Sequence, residues 1–336
     1  MKPFRLLISL LLLPLNGCFS FNKMSVPLFP EETPLIPYTI GGNPEASETA
    51  VFLQIEGIML DTEQKGLLGL TGMKNTAAHV RAVLDQISGD PSVRALVLRI
   101  NTPGGTVTAA DLIHHEIMDY RARHPQVPVH AVMLDLATSG GYYAAVAANK
   151  IWAHPTTVTG SIGVIVQGIN LAGLFKKIGL EDSTVKSGTH KDLLSPLRPQ
   201  TDEDRRIVQG VVDALFERFV ERVKEGRAGL SMEKIRQLAD GRVFSAEQAK
   251  REGLIDEIGY FDDVLEALQR ETGVPSLRAI AYRSQVELND NLYVAAGPNA
   301  CPAASLSAAW LQLLSGSSPG GSPFLYMWPG ATTMPQ

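Results

Sequence analysis

Two residues of the chain have types and spacing that could hydrolyse an amide bond. Ser139 follows an apolar run that predicts a buried strand, and Gly140 and Gly141 follow it at the start of a predicted helix. A serine on such a strand-to-helix turn projects its hydroxyl from a place where the backbone can approach a ligand closely. Because a serine hydroxyl is a weak nucleophile at neutral pH, it needs a base, and a lysine held uncharged by burial can serve. Lys191 therefore pairs with Ser139 in a predicted Ser-Lys hydrolase.

The segments around these residues resemble the signal peptide peptidase A, or protease IV, family of serine proteases, relatives of the Clp protease and crotonase fold. Five blocks between about Val51 and Tyr282 carry the resemblance, namely Asn101–Gly105, Asp135–Tyr143, Thr159–Ile165, Ser187–Pro196 and Ala239–Phe244. The order and spacing of the serine and lysine resemble those of the single-domain members. One departure is Thr138, where the family usually has alanine, and it affects the local pocket shape more than the chemistry.

The resemblance implies an α/β fold, a Clp protease/crotonase-like spiral of strand-turn-helix units with a parallel sheet and a helical C-terminal part. It also implies a serine endopeptidase that cuts membrane-associated or unfolded peptides, such as cleaved signal peptides, and that needs no cofactor. Family members assemble into rings or domes, so a homo-oligomer is expected. Two rival functions are a crotonase-like thioester enzyme and a non-catalytic scaffold of the same fold; in both, the serine and the lysine would have no catalytic part.

Three glycines are candidates for an oxyanion hole. The amides of Gly104 and Gly105 and the amide of Gly140 could point at a carbonyl oxygen as negative charge develops on it. The plainer interpretations are that Gly104-Gly105 is a turn with positive φ and that Ser139 only caps the following helix.

A base-orienting role is predicted for Ser161, whose hydroxyl could hold the lysine amine; the alternative is a turn residue between glycines. Lys191 itself must be desolvated to act as a base, although a solvated surface position is the usual fate of a lysine. Leu193 and Leu194 are candidates for an apolar wall around it, and Asp192 is expected to point away.

Other catalytic arrangements find little support in the chain. None of the seven histidines stands out as the member of a Ser-His-Asp triad, and the Gly-x-Ser-x-Gly elbow is absent around both Ser139 and Ser161. Metal-ligand spacing, a phosphate-binding glycine loop and a dinucleotide fingerprint are also missing, so no metal is predicted.

Composition limits the partners. The 336 residues are 45% hydrophobic, enough for one large domain or two small ones. A net charge of −5 with both signs mixed along the chain gives no cationic surface for nucleic acid, which is therefore excluded as a partner.

The amino terminus predicts export. Lys2 and Arg5 precede a short apolar core, Leu6–Leu15, and Cys18 follows a small residue, as in a bacterial lipoprotein cleavage box. Residues 1–17 are thus a predicted export signal and Cys18 a predicted lipidation site, with ordinary cleavage or an uncleaved anchor as the alternative. The expected location is the cell envelope, with the protein attached to a membrane by lipid and facing the periplasm or the exterior. Because Cys301 is the only other cysteine, the chain has too few cysteines for a disulfide framework.

The rest of the chain divides into three parts. Proline-rich residues 18–49 predict a tether, residues 50–284 the peptidase domain, and residues 285–336 a low-complexity extension. Within the extension, Phe324–Trp328 is too apolar for a solvated tail and is predicted to dock on the body or on another chain.

Apolar periodicity places the elements of the body. It predicts strands at 51–55, 95–100 and 129–134, with a turn at Pro103–Gly105. Predicted apolar helix faces comprise Ala77, Val80, Val83, Leu84 and Ile87 in one helix and Ala109, Leu112, Ile113 and Ile117 in the next. A long helix is predicted to begin after Thr201, a good N-cap that is followed by three acidic residues.

Overall fold

A computed structural model of the chain describes residues 35–62, 64–65, 72–73, 75–283 and 324–327. The predicted export signal, Cys18 and Cys301 lie outside these ranges. No helix within them is both long and apolar enough to cross a bilayer.

Strands and helices alternate through most of the described chain. In order they are β1 (Ile36–Gly42), β2 (Thr49–Met59), β3 (Gln64–Lys65), β4 (Gly72–Met73), α1 (Thr76–Ile87), β5 (Val93–Thr106), α2 (Val107–Arg123), β6 (Val129–Thr138), α3 (Gly140–Ala145), β7 (Lys150–Ala153), β8 (Val158–Gly160), α4 (Ala172–Ile178), α5 (Asp202–Gly226), α6 (Met232–Leu238), β9 (Val243–Ser245), α7 (Ala246–Arg251), β10 (Glu257–Ile258), α8 (Phe261–Thr272), β11 (Arg278–Arg283) and β12 (Leu325–Met327).

Ten of the twelve described strands form one sheet, whose main path is β1-β11-β2-β5-β6-β7-β10. Every neighbouring pair from β11 to β10 is parallel. Strand β8 continues parallel beside the end of β6 and pairs antiparallel with β9. The predicted α/β fold with a mainly parallel sheet and a helical C-terminal part is confirmed.

The sheet is covered on both faces. Helices α1, α2 and α3 bury one face, and the predicted stripe of α1 is buried in full. In α2, Ile113 and Ile117 are buried, but Leu112 is 41% exposed, so its assignment to the apolar face is wrong. Helix α8 covers the other face, where Phe261 packs edge-on against Phe52. Parallel strands covered on both faces are largely apolar, as the runs at 95–100 and 129–134 indicated, with Arg99 and His130 as their buried polar residues.

The predicted tether extends too far along the chain. Residues Ile36–Gly42, placed in it because of Pro37 and the prolines on either side of them, form β1, which pairs antiparallel with β11. Ile40 is buried on the face covered by α8. Because β1 is the edge strand, Pro37 removes no hydrogen bond that the interior of the sheet needs, and proline is tolerated there.

The strand that carries Gly104 and Gly105 is longer than predicted. Instead of ending before a turn, β5 runs on through both glycines to Thr106. This stretch pairs with Ile58 and Met59 of β2 on one side and, on the other, with β12, which runs antiparallel along Gly104, Gly105 and Thr106. The predicted docking of the apolar tail segment is thereby confirmed for Phe324–Met327, while Trp328 lies outside the described residues.

The long helix α5 begins as predicted, since Thr201 and Asp204 form a reciprocal capping box. Its second half packs on the body through Phe219, Val220 and Val223, which are buried. Apart from the buried Asp204, its first half is mostly exposed, and Val211 is 40% exposed.

Candidate active site

Ser139 lies at the junction of β6 and α3. Its backbone has φ 53° and ψ −111°, and its hydroxyl makes no capping hydrogen bond to the first turn of α3. The alternative in which this serine only caps the helix is therefore not realised. The residue is 1% exposed, and its amide donates a 2.7 Å hydrogen bond to the carbonyl of Gly160.

Two serines share a rare backbone conformation. Ser139 and Ser161, with φ of 53° and 50°, are the only non-glycine residues of the described chain that have positive φ. The amide of Ser161 donates a 2.7 Å hydrogen bond to the carbonyl of Arg242, next to the β8–β9 pair. Conformations of this kind cost roughly 1–3 kcal/mol and persist where surrounding structure imposes them, most often at functional sites.

The three glycines predicted to form an oxyanion hole converge. A methyl group added at Gly140 would lie 3.2 Å from the Cα of Gly104 and 3.3 Å from the nitrogen of Gly105. Gly104 has φ +102°, as the turn interpretation required, whereas Gly105 does not have positive φ. Gly105 is glycine for another reason, because a methyl group there would lie 2.0 Å from the carbonyl oxygen of Met59.

Two threonines support this glycine segment. The Thr102 hydroxyl donates to the carbonyl of Gly57 and accepts a 3.0 Å hydrogen bond from the amide of Gly104. The Thr138 hydroxyl donates to the carbonyl of Pro103 over 3.3 Å. The departure from alanine at position 138 therefore ties the serine-bearing strand to the glycine segment.

Lys191 lies on the irregular segment between α4 and α5 and is exposed in the single chain. Its amide donates to the carbonyl of Gly188 over 3.2 Å. The neighbouring carboxylate, Asp192, accepts hydrogen bonds from Lys186 at 2.8 Å and from Arg198 at 2.9 Å. These two cations, Arg198 first, lower the pKa of Asp192. The carboxylate is thus engaged by partners other than Lys191.

Asp204 anchors the segment that carries Lys191, a role the sequence did not reveal. It is 2% exposed, accepts 2.6 Å and 3.1 Å hydrogen bonds from Arg198 and from the Thr201 amide, and pairs with His190 at 3.2 Å. These contacts, the Arg198 hydrogen bond first, lower its pKa, so the carboxylate stays ionised at neutral pH. The three acidic residues at the start of α5 indicated only a favourable helix terminus, whereas one of them holds the residue before Lys191.

Strand β12 lies directly against the glycine segment. A methyl group at Gly104 would lie 1.9 Å from the carbonyl oxygen of Tyr326, and one at Gly140 would lie 3.1 Å from it. On its other side the strand bridges to Ile165, whose amide donates to the carbonyl of Leu325 over 3.1 Å. An extended segment of the chain thus lies between two backbone edges beside Ser139.

Two histidines of the described chain form pairs with carboxylates. His130 pairs with Glu271 at 2.9 Å and accepts a hydrogen bond from Trp152, while His190 pairs with Asp204. Within the described ranges no cluster of three or more His, Cys, Asp or Glu side chains could hold a metal ion.

Comparison with known proteins gives a consistent picture. Residues 121–275 match the model of peptidase family S49. A protein of Enterococcus faecium that carries the name signal peptide peptidase SppA is 33% identical over 239 residues, which is 71% of this chain and 68% of that protein. Protease 4 of Salmonella typhi is 32% identical over 228 residues, 68% of this chain and 35% of the relative.

Among solved structures, a variant of the membrane-bound stomatin-specific protease 1510-N in complex with a substrate peptide aligns with a TM-score of 0.43. It is 16% identical, and the alignment covers 65% of this chain and 79% of that one.

Proposed function

The chain belongs to peptidase family S49 and is a signal peptide peptidase-like serine protease, and from this premise we propose that Ser139 and Lys191 are its catalytic dyad. In the proposed reaction the Ser139 hydroxyl attacks a peptide carbonyl while the Lys191 amine takes its proton. The proton then passes to the leaving amine, and water hydrolyses the acyl-enzyme to free the serine. No metal or cofactor takes part in these steps.

The observation that most strongly supports the proposal is the local structure around Ser139. It is a buried serine held at positive φ whose hydroxyl does not cap its helix, and the glycines of β5 and α3 meet beside it. Backbone amides of Gly105 and Gly140 are our candidates for the donors that stabilise the oxyanion. Removing one such donor typically costs about 3–4 kcal/mol of transition-state stabilisation.

We propose that the substrates are unfolded or membrane-derived peptides, among them cleaved signal peptides. Support comes from β12, which is extended and hydrogen-bonded to β5 on one side and to Ile165 on the other. A substrate that binds as an added strand must be extended over several residues, which a folded protein rarely offers.

We propose further that the protein is a homo-oligomer in which a neighbouring copy covers the segment with Lys191. A lysine that acts as a base must be shielded from water, yet Lys191 is exposed in the single chain. The stretch just before it in the chain, around α4, exposes Ile169, Leu174, Ile178 and Leu180, which are between 46% and 60% exposed. Exposed apolar side chains close in sequence to a base that must be shielded favour burial of this region between copies.

The proposed location rests on the sequence alone. We propose that the chain is exported, that Cys18 carries the lipid, and that the peptidase faces the periplasm or the exterior. Mass spectrometry of the mature amino terminus tests this. A mature chain that begins at an acylated Cys18 is expected, and an unmodified cysteine or an intact leader contradicts the proposal.

Labelling with a fluorophosphonate tests the dyad. The wild-type protein should react at Ser139, and Ser139→Ala and Lys191→Ala should each abolish labelling. Lys250→Ala, which removes an exposed lysine of α7, is the matched control and should label normally. If labelling at neutral pH survives the loss of Lys191, that lysine is not the base. If the wild-type protein does not label, it lacks the proposed activity.

A further inference from the structure

One peptide group of the glycine segment is held at both of its ends by threonine side chains. The group joins Pro103 to Gly104. Its carbonyl accepts a 3.3 Å hydrogen bond from the Thr138 hydroxyl, and its N–H donates a 3.0 Å hydrogen bond to the Thr102 hydroxyl oxygen. Both threonines are 0% exposed. Because a peptide group is planar, the two bonds together fix its orientation.

The Thr102 side chain is itself anchored to the neighbouring strand. Its hydroxyl donates to the carbonyl of Gly57 in β2, a residue with φ +68°. The pairing of β2 with β5 shifts register at this point, where β5 has one extra residue. A bulge of this kind interrupts the ladder of backbone hydrogen bonds, and the threonine side chain bridges the interruption.

The residues that follow the held peptide group are two glycines. Gly104 adopts φ +102°, and without a Cβ it leaves the direction of the next amide free unless neighbouring groups restrain it. The Gly104 amide is already bound to Thr102, so the Gly105 amide is the candidate donor that β5 offers to an oxyanion. The orientation of the held peptide group sets the direction in which the chain continues towards that donor.

From this arrangement we propose that Thr102 and Thr138 are positioning residues, which hold the Pro103–Gly104 peptide group so that the Gly105 amide is aimed at the carbonyl oxygen of a bound substrate. The inference rests on the proposed function, because it takes Ser139 as the nucleophile. Since Thr138 directly precedes Ser139, its hydrogen bond also ties the nucleophile to the segment that carries the donor. Each threonine acts through the peptide group that it holds, and neither touches the reacting atoms.

A plainer explanation is that two buried hydroxyls have found hydrogen-bond partners, as buried polar groups generally do. Loss of a hydroxyl would then lower the free energy of unfolding but would not change the reaction rate at equal concentrations of folded protein. A positioning role predicts a slower reaction, because an oxyanion donor acts only when it lies where the negative charge develops.

Valine and serine substitutions in the full-length protein separate these explanations. Thr102→Val and Thr138→Val keep the shape of the side chain and remove the hydroxyl, whereas Thr102→Ser and Thr138→Ser keep the hydroxyl. The rate of fluorophosphonate labelling of Ser139 is measured over a range of probe concentrations. Each valine variant should lower the maximal rate by about tenfold and leave the half-saturating concentration unchanged, and each serine variant should stay within about threefold of the wild type. If a valine variant does not fold, the corresponding alanine variant takes its place, with the same expected loss.

Thr49→Val is the matched control. Thr49 is 1% exposed at the beginning of β2, away from the bulge, and its hydroxyl donates a 3.2 Å hydrogen bond to the carbonyl of Ser92. This variant should lose stability against urea as the other valine variants do, yet label at the wild-type rate. Equal rates in all three valine variants, whether slowed or not, overturn the positioning role.

The double variant tests whether the two threonines hold the same group. Once one end of a peptide group is released, the hydrogen bond at the other end no longer fixes it, so the second substitution should add little. The combination of Thr102→Val with Thr138→Val should slow labelling by about tenfold to thirtyfold, less than the roughly hundredfold product of two independent effects. A loss that reaches the full product contradicts a shared role.

The positioning role and the proposed function fail in different ways. A wild-type protein whose serine does not label overturns the proposed function and the positioning role with it. A wild-type protein that labels, together with valine variants that label at the same rate, overturns the positioning role and leaves the dyad intact.

Discussion

The amide of Ser139 donates a 2.7 Å hydrogen bond to the carbonyl of Gly160, the residue immediately before Ser161. This bond joins the ends of β6 and β8, which run parallel with Thr138 opposite Gly160. The two serines with positive φ are thus held on adjacent strand ends by the sheet itself. The hydrogen bonds that hold the strained backbone of one serine also position the other serine.

Ser161 gives the first prediction. If its hydroxyl orients the base, Ser161→Ala and Ser161→Gly should both slow labelling of Ser139 by about tenfold or more. Because glycine tolerates φ 50° without strain, Ser161→Gly should also raise the free energy of unfolding by about 1 kcal/mol relative to Ser161→Ala. Labelling kinetics and urea unfolding measure the two effects. A glycine variant that labels at the wild-type rate would show that only the backbone conformation matters.

Gly104 gives the second prediction. Gly104→Ala places a methyl group 1.9 Å from the Tyr326 carbonyl and 2.8 Å from the Gly140 nitrogen, so it should displace β12 and distort the proposed oxyanion site. Peptidase activity should fall by about 100-fold or more. Gly273→Ala is the control, since Gly273 also has positive φ, at +71°, but no atom within 4 Å of the added methyl group.

Both variants should lose about 1 kcal/mol of stability from backbone strain. Only Gly104→Ala should lose activity when the two are assayed at equal folded concentration. A similar loss of activity in both would show that global destabilisation, and not local geometry, is responsible.

The source of the base gives the third prediction. The proposed contact between copies over the Lys191 segment allows one copy to supply the base to the serine of the next. In that case, chains carrying Ser139→Ala and chains carrying Lys191→Ala should complement each other when co-expressed with different tags. Fluorophosphonate should label the Lys191→Ala chain at least about tenfold faster in the mixed assembly than in the pure one. Absence of complementation in a verified mixed oligomer would mean that each chain supplies its own base.

His114 gives a prediction for stability against pH. Burial lowers its pKa from 6.5 to about 4, with a further contribution from Arg222. Between these values the unfolded chain binds a proton that the folded chain does not, so the free energy of unfolding should fall as pH decreases from 6.5 to 4. The loss attributable to this residue is at most about 3 kcal/mol.

His114→Gln should therefore flatten the decline measured by urea unfolding between pH 7 and 4.5. His115→Gln changes an exposed neighbour in the same helix and should leave the decline unchanged. A wild-type slope that persists in His114→Gln would assign the acid sensitivity to other groups.

Several parts of this protein could be predicted from local patterns in the sequence. The alternation of apolar runs and amphipathic stripes predicted the parallel sheet and α1, and Thr201 predicted the start of α5, because burial and capping act over a few neighbouring residues. The same patterns failed for β1, where a proline on an edge strand resembles those of a tether.

The active-site region shows most clearly what local sequence patterns cannot predict. Local sequence was enough to single out Ser139 and its glycines, since a strand, a small nucleophile and two glycines lie next to one another in the chain. That Asp204 anchors the residue before Lys191, and that Tyr326 reaches the glycine segment of β5, depends on contacts between residues far apart in sequence. Such contacts follow from how the helices and the C-terminal strand pack on the finished sheet, and no periodicity within a short stretch of the chain records them.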